Sequence, residues 1–179
     1  MLHAIIQAER AFCRYGPGTA YLYSHELNAG DLVIIEGKNY AGTWLWGSPP
    51  DLDRNCWFAA SVGTLFGDIN EVNSFTTSLP ITTFVGPVTT VTATRNGAIV
   101  DISWNDINVQ PPEDGRGYLV EAIVCQNGFL IPLAFHTDGL SLSIVDEPNA
   151  CAGQGVSSGV VYGVEKHGYT DPTPIPWPP

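Results

Sequence analysis

Basic residues are scarce in this 179-residue chain: seven Lys and Arg stand against 18 Asp and Glu, for a formal net charge of −11 at pH 7. An electrostatic field of that sign repels phosphate groups, and the chain has no local cluster of basic residues to neutralise them. The sequence therefore predicts that the protein binds neither nucleic acid nor an anionic membrane surface.

Long apolar runs are also missing, since none approaches the roughly 18 residues that a membrane-spanning helix requires. Residues 1–7 lack the basic start and the apolar core of a signal peptide. We expect no membrane span in this chain, and we expect any signal peptide or membrane anchor to belong to a part of the protein outside it.

Sequence signatures of catalysis are absent as well. No nucleophile with its base, no carboxylate pair with a recognisable context and no glycine-rich phosphate loop can be identified. There is no C-x-x-C motif, and the four histidines fall at no spacing that builds a zinc site with the cysteines. Asp51 and Asp53 suit a solvated loop better than a calcium site. We predict a protein that is not an enzyme and has neither cofactor nor metal.

Glycine and proline, by contrast, are plentiful. The chain has 19 Gly and 14 Pro, 44% of its residues are hydrophobic and only 14% are charged. This composition is typical of short strands joined by many turns. The fold class is therefore predicted to be all-β, and the length favours two small domains.

Strand and turn patterns divide the chain into two predicted domains. Residues 1–72 show the spacing of a five-stranded barrel, and residues 87–179 show seven short strands typical of a β-sandwich. Residues 73–86 are rich in Ser, Thr and Pro and read as an extended connector, although four apolar side chains in it favour partial packing on a domain. The predicted strands include 20–25, 31–38, 43–46 and 57–61 in the first domain, and they are 88–94, 99–105, 117–126, 130–137, 141–145, 160–166 and 173–177 in the second.

Four cysteines lie two to each half: Cys13 and Cys56 in the first, Cys125 and Cys151 in the second. Three pairings are open, and one disulfide within each half is favoured. Disulfides indicate an oxidising compartment.

The first half resembles bacterial Src-homology-3-like (SH3b-type) domains of cell-envelope proteins. The resemblance rests on a turn of the form R-x-G-P-G-x-x-Y, followed by a mid-barrel tryptophan strand and a closing C-W strand. It implies an SH3-like barrel, a surface location and binding of cell-wall glycan or of other proteins. The matching residues are Arg14, Gly16, Pro17, Gly18, Tyr21, Trp44 and Trp57.

The second half resembles fibronectin type III domains. The resemblance rests on Trp104 in the second strand, on Tyr118 in the third and on the segment around Tyr162 in the sixth. It implies a β-sandwich in which Tyr162 is a tyrosine corner whose hydroxyl bonds to the backbone. The pair Cys125 and Cys151 departs from the usual domain.

Aromatic side chains crowd the first half, and an aromatic surface can stack on sugar rings or grip proline-rich segments. Trp44 and Trp46 share one face of an extended strand, so either this pair or Leu45 points outward. Core packing is the alternative for most of these aromatics. The candidate binding residues are Tyr15, Tyr40, Trp44 and Trp46.

Both ends of the chain are apolar and prone to extended structure, and such arms can add to a sheet edge or fill a groove on a neighbouring subunit. The alternative is that they pack within their own domain. The candidate assembly residues are Leu2, Ile5, Ile6, Ile175 and Trp177.

The sequence as a whole predicts an exported bacterial protein of structural or adhesive function, whose partner is another copy of itself, as in a filament, or another cell-surface protein. A module that binds cell-wall polysaccharide and an accessory fragment of a larger secreted hydrolase are the alternatives.

Overall fold

A computed structural model of the protein describes residues 1–108 and 116–179, and the predicted all-β class is confirmed. The chain divides into two compact units, Met1–Leu79 (unit 1) and Pro80–Pro179 (unit 2). Helical structure in the described ranges is limited to three short 3-10 segments, Ala60–Val62, Ile69–Glu71 and Pro148–Cys151. None of them has the length and apolar composition of a membrane span.

Unit 1 is one antiparallel sheet of seven strands in the order β3-β2-β6-β5-β4-β1-β7. Its side chains alternate between core and surface, as in Arg10–Arg14, where Ala11 and Cys13 are buried and Phe12 is exposed. One apolar core collects residues from six of the strands, so the sheet curves around it. The strands are β1 His3–Ile6, β2 Arg10–Arg14, β3 Tyr23–Asn28, β4 Leu32–Lys38, β5 Trp44–Ser48, β6 Cys56–Ala59 and β7 Gly63–Phe66.

The expected count of five strands in this half is wrong, because the amino-terminal arm, Arg10–Arg14 and Gly63–Phe66, which lie outside the predicted strand ranges, are strands as well. β1 lies between β4 and β7 and pairs with both. Its inward side chains include Ala4 and Ile6, each 1% exposed. The arm thus completes the core of unit 1.

Residues 73–77 pack on the sheet of unit 1, in agreement with the partial packing expected from the apolar side chains of the predicted connector. The backbone N–H of Lys38 donates to the carbonyl of Asn73 at 3.2 Å, and the N–H of Phe75 donates to the carbonyl of Lys38 at 3.2 Å. We call residues 73–77 the strap. The division between the units, after Leu79, falls inside the predicted connector of residues 73–86.

Unit 2 contains two antiparallel sheets, one in the order β12-β9-β8 and one in the order β11-β10-β13-β14, with β15 added to β13. The facing sides of both sheets supply one core that includes Val100 and Ile102 from β9 and Val120 from β10. This is a sandwich with a shared apolar layer. The strands are β8 Val91–Asn96, β9 Ile99–Trp104, β10 Gly117–Gln126, β11 Phe129–Thr137, β12 Ser141–Val145, β13 Ser158–Glu165, β14 Gly168–Tyr169 and β15 Thr173–Pro174.

Each unit has one disulfide, as the distribution of two cysteines to each half predicts. Cys13 bonds to Cys56 across β2 and β6, and Cys125 bonds to Cys151. All four residues are buried.

Candidate functional site

An exposed aromatic pair lies on the outer face of β2 and β3 in unit 1. The rings of Phe12 and Tyr23 meet edge to face with centroids 5.5 Å apart, and the two residues are 48% and 46% exposed. The guanidinium carbons of Arg10 and Arg14 lie 5.6 and 5.7 Å from the centroid of the Phe12 ring, within the range of cation–π attraction. We call this group, with Glu26, the arginine–aromatic patch.

Polar contacts hold both arginines of the patch in place. Arg10 forms an ion pair with Glu26 on the neighbouring strand. The Nη1 group of Arg14 donates to the carbonyl of Tyr21 at 2.6 Å. Because these side chains are already ordered, the binding of a partner costs them less conformational entropy. β3 is also an edge strand of the sheet, so backbone groups beside the patch face no neighbouring strand of this sheet.

None of the patch residues is among the predicted binding residues, although the sequence contains a signal for the patch. Cys13 belongs to a disulfide and therefore faces the core, and side chains alternate along a strand. Phe12 next to it must then face outward, beside two arginines at alternate positions of β2. A large exposed aromatic residue between two cations was thus deducible from the disulfide.

The candidate binding residues of β5 and its turn are on the outer surface. Leu45 is fully buried, so Trp44 and Trp46 point away from the core, which resolves the choice left open by the sequence. Tyr40 lies in the turn between β4 and β5 and is 88% exposed. The amide side chain of Asn39 shapes this turn by accepting hydrogen bonds from the backbone N–H groups of Thr43 and Trp44 at 2.8 and 3.0 Å.

Trp46 is partly covered by its own chain. Its ring lies 5.4 Å from that of Trp57, its cross-strand partner, and 6.0 Å from that of Phe75 in the strap. Phe75 also lies 5.4 Å from Trp57 and packs directly over the backbone of Gly37, where a Cβ atom would overlap its ring. The three rings form a second apolar cluster on the outer face of the sheet.

The strap and Tyr15 are joined by a short polar chain. The indole Nε1 of Trp57, which is fully buried, donates to the hydroxyl of Thr77 at 2.8 Å. That hydroxyl donates to the carbonyl of Tyr15 at 3.2 Å. Of the four candidate binding residues, Tyr15 and Trp46 therefore lie next to the strap.

The candidate assembly residues of the amino-terminal arm lie within unit 1. Leu2 and Ile6 are 3% and 1% exposed and belong to its core, while Ile5 is half-buried. The arm therefore packs within its own domain, which was the alternative to assembly, because β1 pairs with a strand on each side.

The carboxy-terminal candidates pack in the same manner on unit 2. Ile175 is 6% exposed, and its backbone N–H donates to the carbonyl of Gly159 at 2.9 Å. Trp177 packs against the unit 2 core, and its Nε1 donates to Oδ2 of Asp146 at 2.9 Å. Arg95 donates to the carbonyls of Pro178 and Pro179, at 3.1 and 2.9 Å.

Asp146 is the polar centre of this arrangement and has no solvent exposure. Its carboxylate also accepts from Arg95 at 2.6 Å, from the hydroxyl of Ser157 at 2.6 Å and from the backbone N–H of Cys125 at 2.8 Å. Burial alone would raise the pKa of Asp146, but these donors, together with Trp177, hold that pKa below its usual value. The charge is thus satisfied inside unit 2.

Tyr162 differs from the role that the fibronectin resemblance implies. Its hydroxyl donates to the carboxylate of Glu121 at 2.9 Å, on the paired strand β10, instead of to the backbone. Burial, followed by the nearby charge of Glu121 and this hydrogen bond, raises the pKa of the phenol. The bond ties β10 to β13 on one face of the sheet.

A histidine lies beside the unit 1 disulfide, which the sequence spacing did not reveal. His25 of β3 is the direct cross-strand partner of Cys13, and its Nε2 lies 3.6 Å from Sγ of Cys56. The two sulfurs and a ring nitrogen of His25 all lie within 4.8 Å of one another. Burial and the charge of Arg54 lower the pKa of His25, which favours the neutral imidazole.

Asp51 and Asp53, the residues of the alternative calcium loop, are both exposed. Neither a scan against protein-family models nor a search of curated proteins gives a match for this chain.

Proposed function

We propose that this protein is an extracellular, non-catalytic structural or adhesive protein that binds protein partners, another copy of itself among them, through the arginine–aromatic patch. The observation that carries the proposal is the half-exposed pair Phe12 and Tyr23, framed by Arg10 and Arg14 on an edge strand. Aromatic residues and arginine are enriched at the energetic centres of protein interfaces.

Charge supports a second copy as the partner. The patch brings together two of the seven basic residues of a chain that has 18 acidic ones. The patch also contains Glu26, which pairs with Arg10, so its net charge is +1. The rest of the chain has five basic and 17 acidic residues, and an acidic surface of a second copy complements the net positive charge of the patch. A contact between two different surfaces that repeats without closing produces a filament.

The two disulfides support the extracellular part of the proposal, because buried disulfides persist in oxidising compartments. Unit 2 supports the fibronectin-like assignment through its strand order, in which the first, second and fifth strands form one sheet. For unit 1, the ring of Tyr21 packs so closely on Gly16 that a Cβ atom there would overlap it, which gives a physical reason for glycine in the SH3b-like turn.

The experiment is light scattering of the non-reduced protein over a concentration series, together with negative-stain electron microscopy. We expect oligomers or filaments for the natural sequence and a dispersed 19.2 kDa monomer for the double variant Phe12→Ala/Tyr23→Ala. Phe129→Ala is the matched control, because Phe129 is an aromatic residue with 69% exposure in unit 2. A monomer at every concentration for the natural sequence argues against self-assembly, and equal oligomers for the double variant argue against the patch.

A cell-wall glycan is the second candidate ligand, and one observation favours it. Tyr40 is 88% exposed at the turn that leads into Trp44, whose ring faces outward from β5, and exposed aromatic rings of this kind stack on sugars. Co-sedimentation with purified peptidoglycan tests it. Retention that Tyr40→Ala/Trp44→Ala abolishes and Phe12→Ala/Tyr23→Ala leaves intact would support a wall-binding module, whether the chain acts alone or within a larger secreted hydrolase.

A further inference from the structure

We propose that Cys13, Cys56 and His25 bind one zinc ion when the disulfide between the two cysteines is reduced. The pair is then a covalent cross-link under oxidising conditions and a metal site under reducing ones. This inference does not depend on the proposed adhesive function.

The sheet topology places the three residues in a row. β3, β2 and β6 are adjacent strands, and they contribute His25, Cys13 and Cys56 respectively. His25 and Cys13 are directly opposite each other in the register, and the disulfide shows that Cys13 and Cys56 are in contact. All three side chains therefore meet on the same side of the sheet.

The distances suit a tetrahedral site. Zinc binds thiolate sulfur at about 2.3 Å and imidazole nitrogen at about 2.0 Å, so neighbouring donor atoms are roughly 3.5 to 3.8 Å apart. The separation between Nε2 of His25 and Sγ of Cys56 is 3.6 Å. Once the disulfide bond is broken, side-chain rotation can separate the two sulfurs while the backbone stays in place. Two thiolates and one imidazole leave the fourth position to water.

The orientation of the imidazole is also fixed as a metal ligand requires. The hydroxyl of Ser24 lies 3.2 Å from Nδ1 of His25, on the side of the ring away from the sulfur. A hydrogen bond at one ring nitrogen selects the other as the ligand atom, and such outer partners raise metal affinity.

The chemistry balances with a dithiol reductant. The reductant supplies two electrons and two protons to the disulfide of Cys13 and Cys56, which becomes two thiols, and is itself oxidised to a disulfide. Zinc then displaces the two thiol protons as it binds. In the reverse step a disulfide oxidant accepts two electrons from the same sulfurs and is reduced to a dithiol, the bond between Cys13 and Cys56 forms again, and the metal is released.

The second disulfide is an internal control. Within the part of the chain that the structure describes, no other group of three or more potential ligands lies as close together, and Cys125 and Cys151 belong to no such cluster. Zinc at Cys13 and Cys56 should therefore leave the reactivity of the other pair unchanged.

The test is alkylation of the fully reduced, full-length protein with iodoacetamide, with and without zinc, followed by peptide mass spectrometry. We expect zinc to slow alkylation of Cys13 and Cys56 by at least about 10-fold and to leave Cys125 and Cys151 unaffected. His25→Ala should abolish the protection, Ser24→Ala should weaken zinc binding by about 10-fold, and His136→Ala, an exposed histidine of unit 2, should change neither.

Cobalt provides an independent readout, since thiolate-bound cobalt has a charge-transfer band and four-coordinate cobalt has strong visible bands. Protection that is absent, that is equal at both cysteine pairs, or that persists in His25→Ala overturns the proposal. A reduced chain that unfolds alkylates all four cysteines equally with or without zinc, and this result overturns it as well.

Discussion

The indole of Trp177 donates a hydrogen bond of 2.9 Å to the carboxylate of Asp146, which lies 31 residues earlier in the chain and is fully buried. Arg95 contributes an ion pair to the same oxygen and also donates to the last two carbonyls of the chain. One buried charge thus holds the end of the proline-rich terminus on unit 2, in addition to the backbone hydrogen bond of Ile175. Because the carboxylate has four protein donors, its burial is compensated by hydrogen bonds.

Replacement of Asp146 by Asn tests this attachment. The substitution keeps the shape of the side chain but removes the charge, which breaks the ion pair of Arg95 and places an amide donor against other donors. We expect the free energy of unfolding of unit 2 to fall by about 3 to 5 kcal/mol. Urea unfolding monitored by hydrogen-exchange mass spectrometry resolves unit 2 from unit 1. Asp171→Asn, at an exposed position, is the control and should have almost no effect.

Acid should weaken unit 2 for the same reason. The pKa of Asp146 in the folded protein is below its usual value of 3.8, so the ionised carboxylate stabilises the fold above that pH. This stabilisation is lost as the pH falls through the lowered pKa, when the folded state must also take up the proton. The stability of unit 2 should therefore decline from about pH 4 downward.

The variant Asp146→Asn should show a flatter decline over the same range. It retains the contribution of Glu165, whose pKa burial would raise but hydrogen bonds from Thr82 and His167 lower. Equal slopes for the two proteins would show that Asp146 is not the source of the acid sensitivity.

The hydroxyl of Thr77 is expected to stabilise unit 1. Thr77→Val keeps the volume of the side chain but removes the acceptor of the Trp57 indole, which has no solvent to replace it. An unpaired buried N–H costs about 1 to 3 kcal/mol, and we expect a loss of that size in urea unfolding followed by tryptophan fluorescence. Thr76→Val is the neighbouring control, since Thr76 is exposed. Equal losses in both variants would contradict a specific role for the hydrogen bond.

Strands with strict alternation were predictable from the sequence. β9 alternates exposed Asp101 and Ser103 with buried Ile102 and Trp104, and its predicted range differs from the observed Ile99–Trp104 by one residue. The sequence predicts an arm and not a strand at β1, because its four residues have only two inward side chains, too few for a period to be visible. Its position between β4 and β7 depends on pairings with residues about 30 to 60 positions away.

The candidate sites were less predictable for a related reason. Cys13, His25 and Cys56 come from three different strands. Their proximity depends on the register of β2 against β3, and this register cannot be deduced from the spacing of the three residues along the sequence. The strap is similar, because Phe75 packs on Gly37 and Trp57 only when an extended segment pairs with Lys38. Composition indicated that residues 73–86 are extended but not which surface they cover.

The Phe75 ring packs directly on the backbone of Gly37, so a larger residue at position 37 should displace the ring. Gly37→Ala places a methyl group where the Phe75 ring lies, and the ring must leave its contacts with Trp46 and Trp57. We expect a loss of about 1 to 3 kcal/mol in the stability of unit 1, with a red shift of tryptophan emission.

A double-mutant cycle separates this clash from any direct effect on the β4 backbone. Phe75→Ala alone removes the ring and should cost about 2 kcal/mol, less than for a fully buried phenylalanine because Phe75 is 36% exposed. If the ring is the only obstacle, Gly37→Ala should add almost nothing in the Phe75→Ala background, so the two changes are strongly non-additive. Full additivity would instead show that Gly37 is required by the bulge between Ile35 and Gly37, independently of the strap.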